Sequence, residues 1–322
     1  MRALVITRPG GPEVLSVFDR SKPEPRGDVI LVRVSAAGVN RADLLQREGH
    51  YPAPADSPQD IPGLEYSGVI EAIGPDVKSR KVGQRVFGLV GGGAQAEYLM
   101  TREQLSMLVP DSVSDIEAGA IPEAYITAHD ALYTQGGAAN GERVLIHAVG
   151  SGVGIAVLQL AKARNCTVFG TSRTPAKLEK AKALGLDVGI DPKATPFDEI
   201  AHDVDVVIDF IGAPYLEQNL TALRTRGRLI VVSTLGGTNA SLSLRTLMSK
   251  RLRINGTMLR ARPYEEKIEA TRAFERDVMP LLANGSIHVP IEKTFTLEQA
   301  DQAHELIASN ANFGKVVFTL HD

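Results

Sequence analysis

The sequence predicts an α/β protein in which a β-rich domain is joined to a doubly wound parallel sheet of six strands. Three observations predict it. The first third and the tail carry short apolar runs broken by Gly and Pro. The middle alternates apolar strand runs with helical stretches. One of those strands, "RVLIHAV", runs straight into a glycine-rich turn that opens a helix, "GSGVGIAVLQLAK". A chain of 322 residues can hold two domains of ordinary size, each with its own core.

The elements follow in order. "RALVIT" (2–7), "VILVRVSAAGV" (29–39), "YSGVIEAIG" (66–74), "RVFGLV" (85–90) and "AEYLM" (96–100) read as strands. "RPGGP", "KPEPRGD", "YPAPADSP" and "GGGA" supply the turns between them, and "NRADLLQREG" (40–49) reads as a short helix. From 143 the period changes. "RVLIHAV", "TVFGTS", "DVGID", "VDVVIDFIG" and "GRLIVVSTLG" are strands, separated by helices such as "TPAKLEKAKALG" and "APYLEQNLTALR". That alternation implies βαβ units with helices on both faces of the sheet. "RLRINGTML" (251–259) is the sixth strand, and a long amphipathic helix follows over roughly 263–283. The tail reverts to a strand, a helix and a last strand, "GKVVFTL". With no βαβ partner of its own, that last strand is expected to return to the first domain's sheet. The expected division is 1–122 with 287–322 for the β-rich domain, and 123–286 for the doubly wound one.

Composition narrows the function classes. Apolar residues are 43% and charged residues 23%, which is a soluble globular balance. The formal net charge of −3, with no obvious basic stripe, argues against a nucleic-acid partner. The one cysteine, Cys166, can form no internal disulfide and no multi-cysteine zinc lobe; it reads as a buried core thiol. "MRALVITRPGG" lacks the apolar stretch and cleavage site of a signal peptide. No run reaches the roughly 18–20 apolar residues of a membrane span, so the expected location is the cytoplasm, with no membrane partner.

The glycine turn carries the most chemistry. Gly150, Ser151, Gly152, Val153 and Gly154 turn the chain from strand to helix, where free N–H groups and the helix dipole favour a pyrophosphate. In NAD binders an acid about 20 residues on holds the ribose 2′-hydroxyl. Here Thr171, Ser172 and Arg173 stand in that region, and Lys177 follows one turn later. A hydroxyl with two cations attracts a 2′-phosphate that a carboxylate would repel, so the expected cofactor is NADPH. Strand ends are where ligands sit in open α/β sheets, which adds Phe210, Ile211, Leu235, Gly236, Met258 and Leu259 as cofactor candidates. In "IPGLEYSGVI" (61–70), Glu65 is a carboxylate set in an apolar run, and such a group needs partners.

"AAGVNRADLLQREGHYP", "IPGLEYSGVI", "IPEAYITAHDAL", "HAVGSGVGIAVLQLAK" and "NFGKVVFTL" together resemble the medium-chain dehydrogenase/reductases, over essentially the whole chain. More narrowly they resemble the zinc-independent, zeta-crystallin-like quinone oxidoreductases. The resemblance implies that the β-rich domain is GroES-like and catalytic and that the doubly wound domain is a Rossmann fold. Zinc-dependent relatives carry Gly-His-Glu in the opening stretch, with the His a metal ligand. Here the triplet is Gly63-Leu64-Glu65, and the metal-ligand cysteine expected near Asn40 is absent. No metal is expected, and Glu65 reads as a structural carboxylate.

The resemblance also implies site residues. Asn40 and Tyr51 match the family's N-x-x-D and following Tyr, lining the nicotinamide and substrate cleft between the domains. Tyr51 is the candidate hydrogen-bond donor to a quinone oxygen. Asp43 reads as a cap or pairing group. Thr127 resembles a threonine near the nicotinamide, and Asn312 and Lys315 resemble tail positions that fold back toward the cofactor. Close relatives place an aromatic residue after the third strand; Pro192 stands there in this chain. A homodimer is expected through the edge strand 251–259, whose unpaired edge a second copy would cover.

The function expected from all this is an NADPH-dependent quinone oxidoreductase. It would pass a hydride, or single electrons, to an acceptor already electron-poor enough to need no metal. The alternatives are an NADPH-dependent reductase of C=C bonds in enones or enoyl thioesters, and a non-enzymatic nucleotide-bound binding protein such as the RNA-binding crystallin relatives.

Overall fold

A computed structural model describes residues 1–320. The chain divides into two compact units, Met1–Ile126 with Leu259–Asp322, and Thr127–Met258. No helix of the described residues is long and apolar enough to cross a membrane.

The first unit is built on a seven-stranded mixed sheet. Its centre is the strand Val29–Val39, which pairs antiparallel with Glu65–Ile73, with Tyr98–Arg102 and with the terminal strand Lys315–Thr319. The last strand does return to the first sheet, and Ile291–Phe295 adds to it in parallel. Alternate residues of the central strand, Ile30, Val32 and Val34, are fully buried against Leu4, Tyr66, Ile70, Leu99 and Phe318. This is the period-two pattern that made the strand legible. A hairpin of Arg2–Ile6 and Leu15–Asp19 stands apart as a two-stranded sheet.

The long helix expected over 263–283 is two helices, Tyr264–Asp277 and Met279–Ala283, with Pro280 at the start of the second. A proline is tolerated in a first helical turn and not in a helix interior. Both helices pack in the first unit, although the sequence placed 259–286 with the second. Phe274 is fully buried and meets the Phe87 ring edge-on at 6.4 Å, the Tyr264 hydroxyl donates to Gln104 Oε1 at 2.9 Å, and the Ser112 hydroxyl donates to the Ala283 carbonyl.

The second unit is a six-stranded parallel sheet. In spatial order its strands are Val188–Ile190, Thr167–Thr171, Arg143–Ile146, Val204–Asp209, Leu223–Val231 and Arg253–Gly256. By chain position this is the order 3-2-1-4-5-6 of a Rossmann fold, so the chain reverses direction across the sheet between the first and fourth strands. Val204–Asp209 is buried at every residue, as a strand covered on both faces must be. The sixth strand is shorter than read, Arg253–Gly256, and lies at the sheet edge. Exposed apolar side chains, Leu235, Leu244, Met248 and Met258, lie in the segments around it.

Candidate active site

In the second unit the site is the set of strand ends. Ser151 caps the helix Gly152–Ala163, its hydroxyl accepting from the Gly154 N–H at 3.1 Å. Gly154 is the glycine that the turn cannot lose: a Cβ there would lie 2.5 Å from the Ala148 carbonyl oxygen and 2.9 Å from Val149 Cα. It therefore does the strand–helix packing of a dinucleotide fingerprint, although its spacing differs from the usual one. Gly150, Gly152 and Val153 fall in the turn and first helical residues as expected. The helix opens with no acidic residue in its first turn, which suits an anion.

One strand over, Ser172 follows Thr167–Thr171 and closes a tight turn, its hydroxyl accepting from the Thr174 N–H at 3.2 Å. Arg173 is exposed and Lys177 is half-buried on the first turn of the helix Pro175–Lys182. No carboxylate stands among these residues. Phe210 is buried, Ile211 and Gly236 are joined by a backbone hydrogen bond at 2.8 Å, and Leu235 and Met258 are exposed. Thr127 is half-buried on the helix Pro122–His129. Sequence reasoning missed His147, fully buried just after the first strand of this unit. Its Nε2 lies 2.7 Å from Asn219 Oδ1 and its Nδ1 3.0 Å from Thr171 Oγ1, and Asn219 donates to Asp209 at 3.1 Å. Asp209 in turn accepts the Ile211 and Gly212 N–H groups. This chain of bonds ties three strand ends together. Burial holds the imidazole's pKa down, which favours its neutral form.

In the first unit the site is a buried charge cluster. Asn40 and Asp43 form a reciprocal cap on the helix Arg41–Arg47: the Asp43 carboxylate accepts the Asn40 N–H at 2.8 Å. Asp43 also accepts from Gly63 N–H and Gln95 Nε2, so its carboxylate caps the helix and pairs with two further donors. Burial nonetheless raises its pKa to about 6.

Glu65 is fully buried and fully partnered. It accepts Asn40 Nδ2 at 2.8 Å, the Lys315 ammonium at 2.6 Å and the Glu123 N–H at 2.8 Å. Lys315 also donates to Asn40 Oδ1. Lys315 and Asn40, both expected at the cofactor, thus engage these polar atoms with Glu65 and with each other. Gly38 permits it, because a Cβ on that residue would overlap the Glu65 carboxylate. Leu64 beside it is buried and offers no ligand. Among the described residues no group of three or more His, Cys, Asp or Glu side chains could hold a metal ion. The donor set here does not fit zinc.

Arg260, which the sequence places only as a residue following the sixth strand, is buried and braces three segments. Its guanidinium donates to the carbonyls of Gly91 (2.9 Å) and Tyr51 (3.0 Å) and to Gln46 Oε1 (2.5 Å). It also lies 4.9 Å from the centre of the Tyr51 ring, a cation–π contact that fixes the ring. Tyr51 is half-buried; burial and the nearby Glu123 raise its phenol pKa, and Arg260 opposes them. Beside Arg260 opens a cavity of about 460 Å³, lined by Pro58, Ile61, Leu89, Leu99 and the Gly91–Gly93 loop, with Glu123 in its wall. Leu259 is buried next to Arg260, and Asn312 is half-buried, its amide donating to the Gly314 carbonyl.

Known proteins resemble the chain in sequence and fold. Residues 26–111 match the alcohol dehydrogenase GroES-like domain, and residues 152–276 match the family described as zinc-binding dehydrogenase. Quinone oxidoreductase of Rattus norvegicus is 32% identical over 334 residues, covering 99% of this chain and 98% of that one. The chain belongs to the medium-chain dehydrogenase/reductase family. Within it, the fold is similar to that of Escherichia coli quinone oxidoreductase complexed with NADPH, with a TM-score of 0.90 and 26% identity over 99% of this chain and 100% of that one. A second kind of relative is a phenolphthiocerol/phthiocerol polyketide synthase of Mycobacterium tuberculosis, 32% identical over 98% of this chain. The chain spans only 15% of the length of that synthase polypeptide.

Proposed function

We propose that this protein is an NADPH-dependent, zinc-independent quinone oxidoreductase. The observation that carries the reading is the fate of the Gly63-Leu64-Glu65 triplet: a buried leucine where zinc-dependent relatives have a ligand, beside a carboxylate whose oxygens are all engaged by protein donors. Such a site supplies no Lewis acid, so it suits an acceptor that is electron-poor already. The similarity to quinone oxidoreductases supports the same reading.

NADPH, when bound, supplies the hydride. Ser151, the turn 150–154 and the open helix N-terminus would hold its pyrophosphate. Ser172, Arg173 and Lys177 would hold the 2′-phosphate, by charge and hydroxyl donation. The strand-end segments at Phe210, Ile211, Leu235, Gly236 and Met258 would flank the dinucleotide, together with Thr127. Asn40, Leu259, Asn312 and Lys315 are the first unit's candidates for the nicotinamide end. The first unit's cavity would take the acceptor: Pro58, Ile61, Leu89 and Leu99 give its flat body an apolar wall, and Glu123 and Arg260 stand among the polar groups of the same lining. Tyr51, held by ring contact with Arg260 of the cavity wall, would donate a hydrogen bond to the acceptor oxygen. A cytoplasmic homodimer joined through the strand Arg253–Gly256 completes the reading; the exposed Leu235, Leu244, Met248 and Met258 would be covered in it.

The polyketide synthase relative favours a second reading, reduction of an activated C=C bond in an enone or enoyl thioester. The test is NADPH oxidation after chelator treatment, with phenanthrenequinone or benzoquinone compared with an α,β-unsaturated ketone. Turnover on the quinone supports the first reading. Turnover on the enone alone moves the protein to the second, and NADPH binding without turnover points to a binding protein.

A further inference from the structure

We propose that Glu123 is the proton donor of this site, delivering a proton to the oxygen of a carbonyl-bearing acceptor held in the first unit's cavity. The inference rests on the reductase reading above and names a group that it leaves without a task.

The geometry singles out Glu123. The first unit's cluster holds three carboxyl groups, Asp43, Glu65 and Glu123, and two cations, Lys315 and Arg260. Two of the carboxyls are committed. Asp43 accepts three donors at the helix cap, and Glu65 accepts Asn40, Lys315 and the Glu123 N–H. Glu123 commits only its backbone N–H. Among the described residues no hydrogen bond or ion pair holds its side-chain oxygens, and the side chain stands in the cavity wall beside Arg260. It is half-buried, so water can resupply it.

Counting charges leads to the same group. With three acids and two bases ionised, the cluster carries one uncompensated negative charge in a largely buried setting, which is costly. A single proton relieves it, and Glu123 is the acid whose oxygens have no donor to favour ionisation. Burial and the neighbouring Glu65 raise its pKa to about 7; Asp43 adds to the rise, while Lys315 and Arg260 oppose it. The phenol of Tyr51 is the remaining titratable group that feels it. Two neighbouring carboxyls in such unlike environments are the pattern of a divided acid–base role.

The step balances. NADPH, when bound, would supply a hydride with its electron pair; as the new bond to the acceptor forms, an acceptor π bond breaks and its negative charge collects on the acceptor oxygen. The O–H bond of the Glu123 carboxyl breaks and an O–H bond forms on the acceptor. Glu123 is left as a carboxylate and regains a proton from solvent. The sum is acceptor, NADPH and a proton giving reduced acceptor and NADP⁺. In the enone case the same proton meets the enolate.

Three measurements test it. Infrared spectra of the ligand-free chain, with glutamate isotope-labelled, should show a protonated carboxyl band that fades as pH rises through neutrality and is missing in Glu123→Gln. With NADPH and the better acceptor, Glu123→Gln should lower kcat by roughly 10²–10⁴-fold. It should also flatten the fall of kcat at high pH, with NADPH affinity by fluorescence unchanged. Glu123→Asp should recover part of the loss. A labelled carboxyl already ionised at neutral pH, or a Glu123→Gln enzyme with normal kcat and pH profile, overturns the proposal and leaves the reductase reading standing. A wild-type protein that binds NADPH but reduces neither acceptor class overturns the reading and the proposal with it.

Discussion

Replacing Lys315 by methionine should destabilise the first unit severely. The ammonium lies 2.6 Å from Glu65 Oε1, with the Lys315 side chain 5% exposed and that of Glu65 0%. Removing it leaves a carboxylate in the core with Asn40 Nδ2 and the Glu123 N–H as its remaining donors. Stripping one partner from a buried pair costs about 3–5 kcal/mol. For a unit of this size that is a fall in Tm of roughly 6–20 °C. Adding Glu65→Gln should return part of the loss. The carbonyl of the substituted side chain can then accept the Glu123 N–H, and its amide can donate to Asn40 Oδ1, which has lost Lys315. Urea unfolding of the wild type, both single variants and the double variant closes the cycle, with near-ultraviolet circular dichroism reporting on the buried Tyr66 and Tyr125. The expected coupling is above about 1 kcal/mol. A Lys315→Met variant that loses less than about 1 kcal/mol at neutral pH would refute the assignment of this pair as the anchor of the cluster.

Four further outcomes are expected. Lys177→Glu should raise the KM for NADPH much more than that for NADH; equal effects would remove Lys177 from the 2′-phosphate site. Tyr51→Phe should lower turnover with a quinone while leaving NADPH binding nearly intact, since the Arg260 bond is to the Tyr51 carbonyl and the ring is retained; normal turnover would mean that the phenol is no donor. Gly154→Ala should weaken NADPH binding and lower stability by about 1–3 kcal/mol, because the crowding atoms, the Ala148 carbonyl and Val149 Cα, are backbone; thermal melts with and without NADPH read both. Glu123 has its pKa raised from 4.5 to about 7 in the folded chain, so its contribution is fully present below about 4.5 and is lost as pH rises through about 7. The stability–pH curve of Glu123→Gln should therefore fall less over that interval than the wild-type curve, and parallel curves would contradict the raised value.

The architecture was legible because it is written in local periods. Val29–Val39 alternates, Val204–Asp209 is apolar throughout but for its two acids, and the glycine turn sits between strand and helix. What the periods could not show is which unit an amphipathic helix packs against. The helix Tyr264–Asp277 has an amphipathic pattern that names no partner, and it is contacts distant in sequence, Phe274 with Phe87 and Tyr264 with Gln104, that place it in the first unit. The site was half legible for the same reason. A turn such as 150–154 is local, so its strand–turn–helix form can be read from the residues around it.

The charge cluster is not local. Glu65 lies 25 residues from Asn40 and 250 from Lys315 along the chain, and Arg260 lies 209 residues from Tyr51. "IPEAYITAHDAL" drew attention to Thr127, and Glu123, four residues earlier in the same stretch, carries no signal of its own: it stands in a first helical turn, where acids are favoured on dipole grounds alone. Its environment sets it apart: a saturated carboxylate accepting its own backbone N–H, a braced guanidinium beside it, and an open wall in front. None of these is written in the residues adjacent to it. A raised acid is made by what other segments withhold from it. Such a group is therefore invisible to motif reading even where Asn40, Asp43, Glu65 and Lys315 have all been named, and it emerges only once each donor in the cluster has been assigned to an acceptor.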